Sequence, residues 1–311
     1  MLLVTSIPPA IKRAHQAQEK DPSLFLDIRK SAIESWRKNG FDRIISCNTS
    51  EEAKSNTDLA NFIYSQGIEQ LVINSPAKST NRFLPSLREC IRAAINLVGH
   101  AERINLINAD IILDTHHEKL SSLLSRGKDC SFIAYRTPVE THLEAISKLK
   151  NSQKYFAKGI DFFSSMGSDL DKSIKGISKE LSIGMPWWDI ALALSLAMVT
   201  REINALPSDY FRHIEHKSRQ YNSKSWAMAG QEACRSISIL IKDCNGPTSQ
   251  EWIKSLARTM QTEPTHTNML VARIKSLLVK DISYKEAVDV YKLQSIARKA
   301  ERILKSISEY N

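Results

Sequence analysis

One apolar stretch, residues 104–114, most constrains the fold of this chain. It is rich in isoleucine and leucine, and its middle carries two polar residues, Asn108 and Asp110. A β-branched run of this length predicts a buried strand near the centre of a sheet. A carboxylate there needs a partner, because an isolated buried charge costs several kcal/mol. A divalent cation is one such partner, and oxygen ligands suit Mg²⁺ or Mn²⁺.

Strands and helices alternate with short connections before that stretch. Each of three predicted strands is followed by a predicted helix: strands at 2–7, 43–47 and 71–73, helices at 23–39, 51–66 and 83–98. Such alternation implies an α/β fold with a mostly parallel central sheet, right-handed crossovers and helices on both faces. Ligands of such sheets bind at the carboxyl ends of the strands. The polar residues that follow these strands are therefore expected to ring one pocket.

The later part of the chain changes character. Two more strands are predicted at 131–136 and 159–165, and a strongly apolar helix at 187–200. From residue 231 onward the pattern predicts only helices. We therefore divide the chain into an α/β unit at 1–230 and an α-helical C-terminal extension at 231–311.

Charge and cysteine content bear on the partners of the protein and on its cellular compartment. The 311 residues carry a formal net charge of +9, which favours nucleotide phosphates, nucleic acid or an anionic membrane surface as partner, although a solvated basic surface would look the same. The five cysteines are odd in number and match no metal or redox spacing. With no signal peptide and no membrane-spanning run, the sequence predicts a cytoplasmic protein, with peripheral contact at the inner membrane face left open.

Several common phosphate and nucleophile motifs are missing from the sequence. It contains neither Gly-x-Gly-x-x-Gly nor Gly-x-x-x-x-Gly-Lys-Ser/Thr, the cradles of dinucleotide oxidoreductases and P-loop enzymes. It also lacks the Gly-x-Ser-x-Gly elbow of many hydrolases. A nucleotidyltransferase is disfavoured because residues 6–9, Ser-Ile-Pro-Pro, stand where a Gly-rich basic loop is usual.

Three motifs carry a family resemblance. Asn108-Ala109-Asp110 resembles the Asp-x-Asp-type metal motif of nucleotide-sugar glycosyltransferases with the GT-A fold (family 2-like), with Asn replacing the first Asp. Residues 159–163 resemble the strand that lines the acceptor side, and residues 183–189 resemble the loop and helix start that carry the catalytic carboxylate of inverting members. The resemblance covers roughly residues 1–230 and implies a GT-A-like domain.

The resemblance implies roles for four acidic or amide side chains. Asp110 would bind the metal ion and the diphosphate, and Asn108 would add a carbonyl oxygen or hydrogen-bond the ribose. Asp189 would act as the base that takes the proton of the acceptor hydroxyl, with Asp161 as the competing candidate. The plainer alternatives are a turn cap for Asp110 and a helix-start carboxylate beside two core tryptophans for Asp189. Asp114 is expected to cap the following helix.

Two histidines form the next candidate pair. His213 and His216 lie three residues apart, a spacing that places both on one face of a helix but not of a strand. Related transferases carry a histidine here that contacts the metal ion or the diphosphate, and imidazole suits Mn²⁺ better than Mg²⁺. One of the two is therefore expected to be a ligand, and a surface pair is the alternative.

Basic and hydroxyl side chains would complete the nucleotide site. Arg82 begins a predicted helix, where backbone N–H groups favour anions, and Lys78 lies in the same segment. Both are expected to bind phosphate, with an exposed basic loop as the alternative. Thr5 and Ser6, at the end of the first strand, are expected near the base.

Together these features predict a glycosyltransferase. It would move a sugar, with inversion and with help from Mn²⁺ or Mg²⁺, from a nucleotide-diphosphate sugar to a hydroxyl of a saccharide, lipid-linked or other acceptor. The alternatives are a catalytically inactive GT-A-like protein and a nucleic-acid- or polyanion-binding protein that uses the basic C-terminal helices. Those helices are also open to contact with a membrane surface, a partner chain or a second copy of the chain.

Overall fold

The computed structural model describes residues 1–8, 22–55, 57–77, 84–127, 130–147, 160–185, 187–200 and 203–214, and four later residues, Ala229, Glu232, Ala233 and Ser236. The strands are β1 (Leu2–Thr5), β2 (Arg43–Thr49), β3 (Glu69–Ile73), β4 (Pro76–Ala77), β5 (Leu84–Pro85), β6 (Arg103–Ile107), β7 (Ile111–Leu113), β8 (Ser131–Tyr135), β9 (Thr137–Val139), β10 (Ile160–Met166), β11 (Ile203–Ala205) and β12 (Phe211–Ile214). The helices are α1 (Pro22–Lys38), α2 (Ser50–Ser55), α3 (Thr57–Ser65), α4 (Leu87–Val98), α5 (Leu120–Arg126), α6 (His142–Ile146), α7 (Gly167–Ile174) and α8 (Trp188–Val199).

The central sheet has seven strands in the order β11-β8-β10-β6-β1-β2-β3. All neighbouring pairs are parallel except those of β10, which runs antiparallel to both β6 and β8. The prediction of an α/β fold with a mostly parallel, helix-flanked sheet is confirmed. The reversal of β10 brings the beginning of that strand to the edge where its neighbours end.

The sheet is buried on both faces, which explains the unbroken apolar runs of its strands. One face contributes Val4, Leu106 and Phe163 to a core beneath α4. The other face contributes Leu3 and Phe162 to a second core beneath α1. The central strands are therefore packed between two hydrophobic cores. This packing also fixes the positions of the polar residues at the strand ends.

A three-stranded sheet, in the order β7-β12-β9, lies beside the carboxyl edge of the large one. It corrects one prediction: residues 104–114 form two strands in two different sheets rather than one. The chain turns at Asn108 to Asp110 between β6 and β7. The indole nitrogen of Trp36 on α1 donates to the carbonyl oxygen of Ile111 at 2.8 Å, so the second strand is held apart from the first.

The predicted extension at 231–311 lies outside the described residues, apart from three positions. Of these, Ala233 is fully buried in the core beneath α4. The backbone N–H of Ser178 donates to Ser236 Oγ at 2.8 Å, and Ser178 Oγ donates to Glu232 at 2.5 Å. The first described residues after 230 therefore pack against the α/β unit. Among the described helices, none is long and apolar enough to cross a membrane.

Candidate functional site

The predicted acidic residues meet at the carboxyl edge of the central sheet. Asp110 lies in the turn between β6 and β7, and Asp161 is the second residue of β10. Asp189 is in the first turn of α8. Because β10 is reversed, its second residue reaches the edge at which β6 ends, so residues far apart in the sequence share one site.

Asp110 pairs with one of the two predicted histidines. Strand β12 pairs with β7 so that His213 lies opposite Ile111, the residue after Asp110. The distance between His213 Nε2 and Asp110 Oδ2 is 3.4 Å. His213 is buried on a strand, whereas the Asp110 side chain is 39% exposed. The carboxylate is therefore open to solvent and the imidazole is not. His216 lies outside the described residues.

The pair is compatible with a shared divalent cation. Carboxylate and imidazole ligands sit about 2.0–2.2 Å from such ions. Two atoms 3.4 Å apart can both reach one ion at that distance. In the part of the chain that the structure describes, no group of three or more His, Cys, Asp or Glu residues is placed to hold a metal. Asp110 and His213 would supply two of the ligands of a bound ion.

Asp161 is committed to two neighbours. Its Oδ2 accepts a hydrogen bond from Arg136 at 2.7 Å, and its Oδ1 accepts one from the side-chain amide of Asn108. The backbone N–H of Asn108 also donates to the carbonyl oxygen of Asp161 at 3.2 Å. These bonds fix the turn that carries Asp110, because they hold its first residue against β10.

Arg136 is the site residue that sequence reasoning missed. It follows β8 directly and was placed inside a predicted strand at 131–136. Burial lowers its pKa, but the charges of Asp161 and Asp110, the hydrogen bond to Asp161 and the charge of Asp189 outweigh burial, so the pKa of Arg136 is raised. The guanidinium is thus a permanent cation among three carboxylates. Its position at the carboxyl end of a strand is the signal that could have identified it.

Asp189 is buried and oriented by the backbone of β10. Its Oδ2 accepts a hydrogen bond from the N–H of Ile160 at 3.0 Å. Burial, and secondarily the charge of Asp189, raises the pKa of the Tyr135 hydroxyl. Trp187, just before α8, has φ of 71°, a left-handed conformation that is costly for a residue with a Cβ. The turn at Trp187 and the hydrogen bond from Ile160 together place the Asp189 carboxylate near Asp161 and Arg136.

Thr5 and Ser6 lie at the end of β1, and the register of β1 on β6 carries them towards Asn108. Both side chains are buried, and neither hydroxyl oxygen has a hydrogen-bond partner among the residues the structure describes. A buried hydroxyl without a partner is costly, so these two oxygens retain unused hydrogen-bonding capacity. Lys78 and Arg82 lie outside the described residues.

Asp114 has a different role from the predicted helix cap. It is fully buried and forms an ion pair with Arg212, which is itself 1% exposed. Arg212 also donates to the carbonyl oxygens of Ala145, at 3.0 Å, and of Ser147, next to α6. Asp114 further accepts hydrogen bonds from the backbone N–H of His116 and pairs with the His117 ring. The helix that follows, α5, begins only at Leu120. Asp114 therefore fastens β7 to β12.

Comparisons with known proteins give little beyond these observations. No family model matches the chain, and no curated protein matches it. Among solved structures, one that matches is UDP-glucose pyrophosphorylase complexed with UDP-glucose, with a TM-score of 0.33 and 12% sequence identity. The match covers 58% of this chain and 82% of the other. At that TM-score the likeness carries no argument about what the present chain binds.

Proposed function

We propose that this protein is a metal-assisted glycosyltransferase that moves a sugar from a nucleotide-diphosphate sugar to an acceptor hydroxyl. The observation that carries the proposal is the meeting of Asp110 and His213, 3.4 Å apart, at the edge that also holds Asp189 and Asp161. A metal-ligand pair and a separate buried carboxylate are the minimum set that this chemistry requires.

The charge of the cluster supports a cation as a partner. Three carboxylates face one guanidinium, that of Arg136, so the cluster is negative and would repel a diphosphate by itself. A divalent cation bound by Asp110 and His213 reverses that repulsion. When bound, it would supply Lewis-acid stabilisation of the charge that develops on the departing diphosphate. Mn²⁺ suits the imidazole ligand better than Mg²⁺ does.

Side chains of the protein would supply the base and the contacts to the nucleoside. Asp189 takes the proton from the acceptor hydroxyl, which supports direct displacement and inversion at the sugar. Asp161 is the alternative base, but both of its oxygens are already bonded to Arg136 and Asn108, which favours a positioning role. Thr5 and Ser6 offer buried hydroxyls to the nucleoside, and Asn108 lies within reach of the ribose in this proposal.

Three residues outside the described part complete the proposal. Lys78 and Arg82 would bind phosphate, and His216 would be the alternative imidazole ligand. The acceptor class, saccharide, lipid-linked or other, and any contact of the basic C-terminal segment with a membrane, a polyanion or a second copy remain part of this proposal.

The experiment that tests the proposal is a thermal-unfolding screen of nucleoside diphosphates with and without Mn²⁺. A true ligand raises the melting temperature by mass action. We expect one nucleoside diphosphate to raise it with Mn²⁺ and far less without. Asp110→Ala should abolish the Mn²⁺-dependent part, whereas Asp58→Ala, at an exposed position on α3, should retain it. No response of the wild-type protein to any diphosphate would contradict the proposal.

A further inference from the structure

Arg136 contacts one member of the carboxylate cluster formed by Asp110, Asp161 and Asp189 and is influenced by the charges of the other two. One of its terminal nitrogens donates to Asp161 at 2.7 Å, and the charges of the other two carboxylates act on it through space. Its side chain is 26% exposed, so it is in part accessible to solvent. Its Nε is buried and has no hydrogen-bond partner in the described ranges. The residue is therefore anchored by one contact and retains unused donor capacity.

This placement has opposite effects on the two proposed ligands. A bare divalent cation near Asp110 is repelled by the guanidinium, which already neutralises part of the carboxylate charge. A diphosphate is attracted by the same guanidinium, whose planar donors match phosphate oxygens. Both effects are strong, because charges near a protein surface interact several-fold more strongly than in bulk water. Arg136 therefore disfavours the cation alone and favours the cation that arrives with a diphosphate.

Building on the proposed function, we propose that Arg136 is a specificity-determining residue that makes the site select a cation–diphosphate complex over the free cation. Before ligand binds, its charge offsets part of the carboxylate charge and lowers the affinity of the site for free divalent ions. When a complex binds, the phosphate oxygens supply ligands that Asp110 and His213 do not, and Arg136 interacts with the diphosphate rather than opposing the metal.

The test is isothermal titration of the full-length protein with two probes, Mn²⁺ alone and the preformed Mn²⁺–pyrophosphate complex. The wild-type protein should prefer the complex. In Arg136→Gln, the affinity for Mn²⁺ alone should rise by about tenfold and the affinity for the complex should fall, because a nearby unit charge is removed. Arg136→Lys keeps the charge and should keep the preference. Arg43→Gln, which removes a cation from the exposed Arg43–Glu69 pair, is the matched control and should behave as wild type.

The outcomes separate this inference from the proposed function. If the wild-type protein binds neither probe, the metal site of the proposed function is wrong. If it prefers the complex and Arg136→Gln shows the same preference, or if it binds Mn²⁺ alone as tightly as the complex, only the role of Arg136 is overturned. Should Arg136→Gln fail to fold, the pair Arg136→Gln with Asp161→Asn also removes the carboxylate that Arg136 contacts directly. That double variant should bind Mn²⁺ alone like the wild type but lose the preference, and an unchanged preference would overturn the inference.

Discussion

At the scale of single residues, the contact between Asn108 and Asp161 explains why residue 108 is an asparagine. The resembling metal motif has an aspartate at this position, and here the side-chain amide instead donates a hydrogen bond to Asp161. A carboxylate at position 108 would have no proton to donate and would face the Asp161 carboxylate. Asparagine at position 108 is therefore explained by the hydrogen bond that Asp161 accepts from it.

We expect Asn108→Asp to lower the free energy of unfolding by about 1–3 kcal/mol, because it replaces a donor with a second charge beside buried Asp161. Denaturant unfolding at pH 7 measures this. Asn74→Asp, at an exposed position, is the matched control and should change little. A variant as stable as the wild type would show that the amide contact is unimportant.

Asp189→Asn tests the proposed base. An asparagine oxygen can still accept the hydrogen bond from the Ile160 N–H, so the fold should survive. The variant cannot take a proton, and kcat should fall by about 10²–10⁴-fold. The rate is the release of nucleoside diphosphate from sugar donors that carry the nucleotide identified in the screen, and Asp58→Asn serves as the control. A near-normal kcat would remove Asp189 from the base role.

The sequence identified some of these residues and missed others for physical reasons. Asp110 interrupts an apolar run and Asp189 opens an apolar helix, so both stand out from local context. Arg136 does not, because a charged residue at a strand end is ordinarily solvated. Its significance depends on Asp161, which only the reversed direction of β10 brings beside it.

At the scale of elements, the small sheet is fastened by the buried pair of Asp114 and Arg212. Arg212 precedes His213 on β12, and Asp114 follows β7, which begins after Asp110. The ion pair and the donation of Arg212 to Ala145 hold these strands and α6 together. The separation of Asp110 from His213 is thus set by contacts on the far side of the sheet.

Arg212→Met should destabilise the protein by about 3–5 kcal/mol, because it leaves Asp114 charged and buried without its partner. Adding Asp114→Leu should recover part of the loss, since an apolar pair avoids the desolvation penalty. A double-mutant cycle from denaturant unfolding gives the interaction free energy. Strictly additive losses would mean that the two side chains do not act as a pair.

Alternation of strands and helices was enough to predict the sheet and its mostly parallel character. Two features could not be predicted. The sequence of β10 does not indicate its direction, and its antiparallel course depends on pairing with β6 and β8. Both β6 and β7 are buried and rich in isoleucine and leucine, and burial alone does not reveal that they belong to different sheets.

At the scale of the whole molecule, the few described residues near position 230 pack into the folded core. Ala229 and Ala233 are fully buried in the cluster beneath α4, and Ser236 accepts a hydrogen bond from the backbone of Ser178. The predicted division near residue 230 therefore does not mark an end of packing at the described positions.

Ala233→Asp should lower the melting temperature of the α/β unit by several degrees, because it buries a charge in that core. Ala101→Asp, in an exposed turn, should leave the melting temperature nearly unchanged. Thermal unfolding followed by circular dichroism measures both variants. Equal melting temperatures would mean that this segment contributes nothing to the stability of the sheet.

The chain crosses from the large sheet to the small one within the short turn from Asn108 to Asp110. The turn connects β6 of the large sheet directly to β7 of the small sheet, with only three residues between the two strands. A ligand bound by Asp110 would therefore contact a residue whose position depends on both sheets. Inserting one residue between Asn108 and Asp110 would change the position of Asp110 relative to β6. The length of this turn therefore matters as well as its composition.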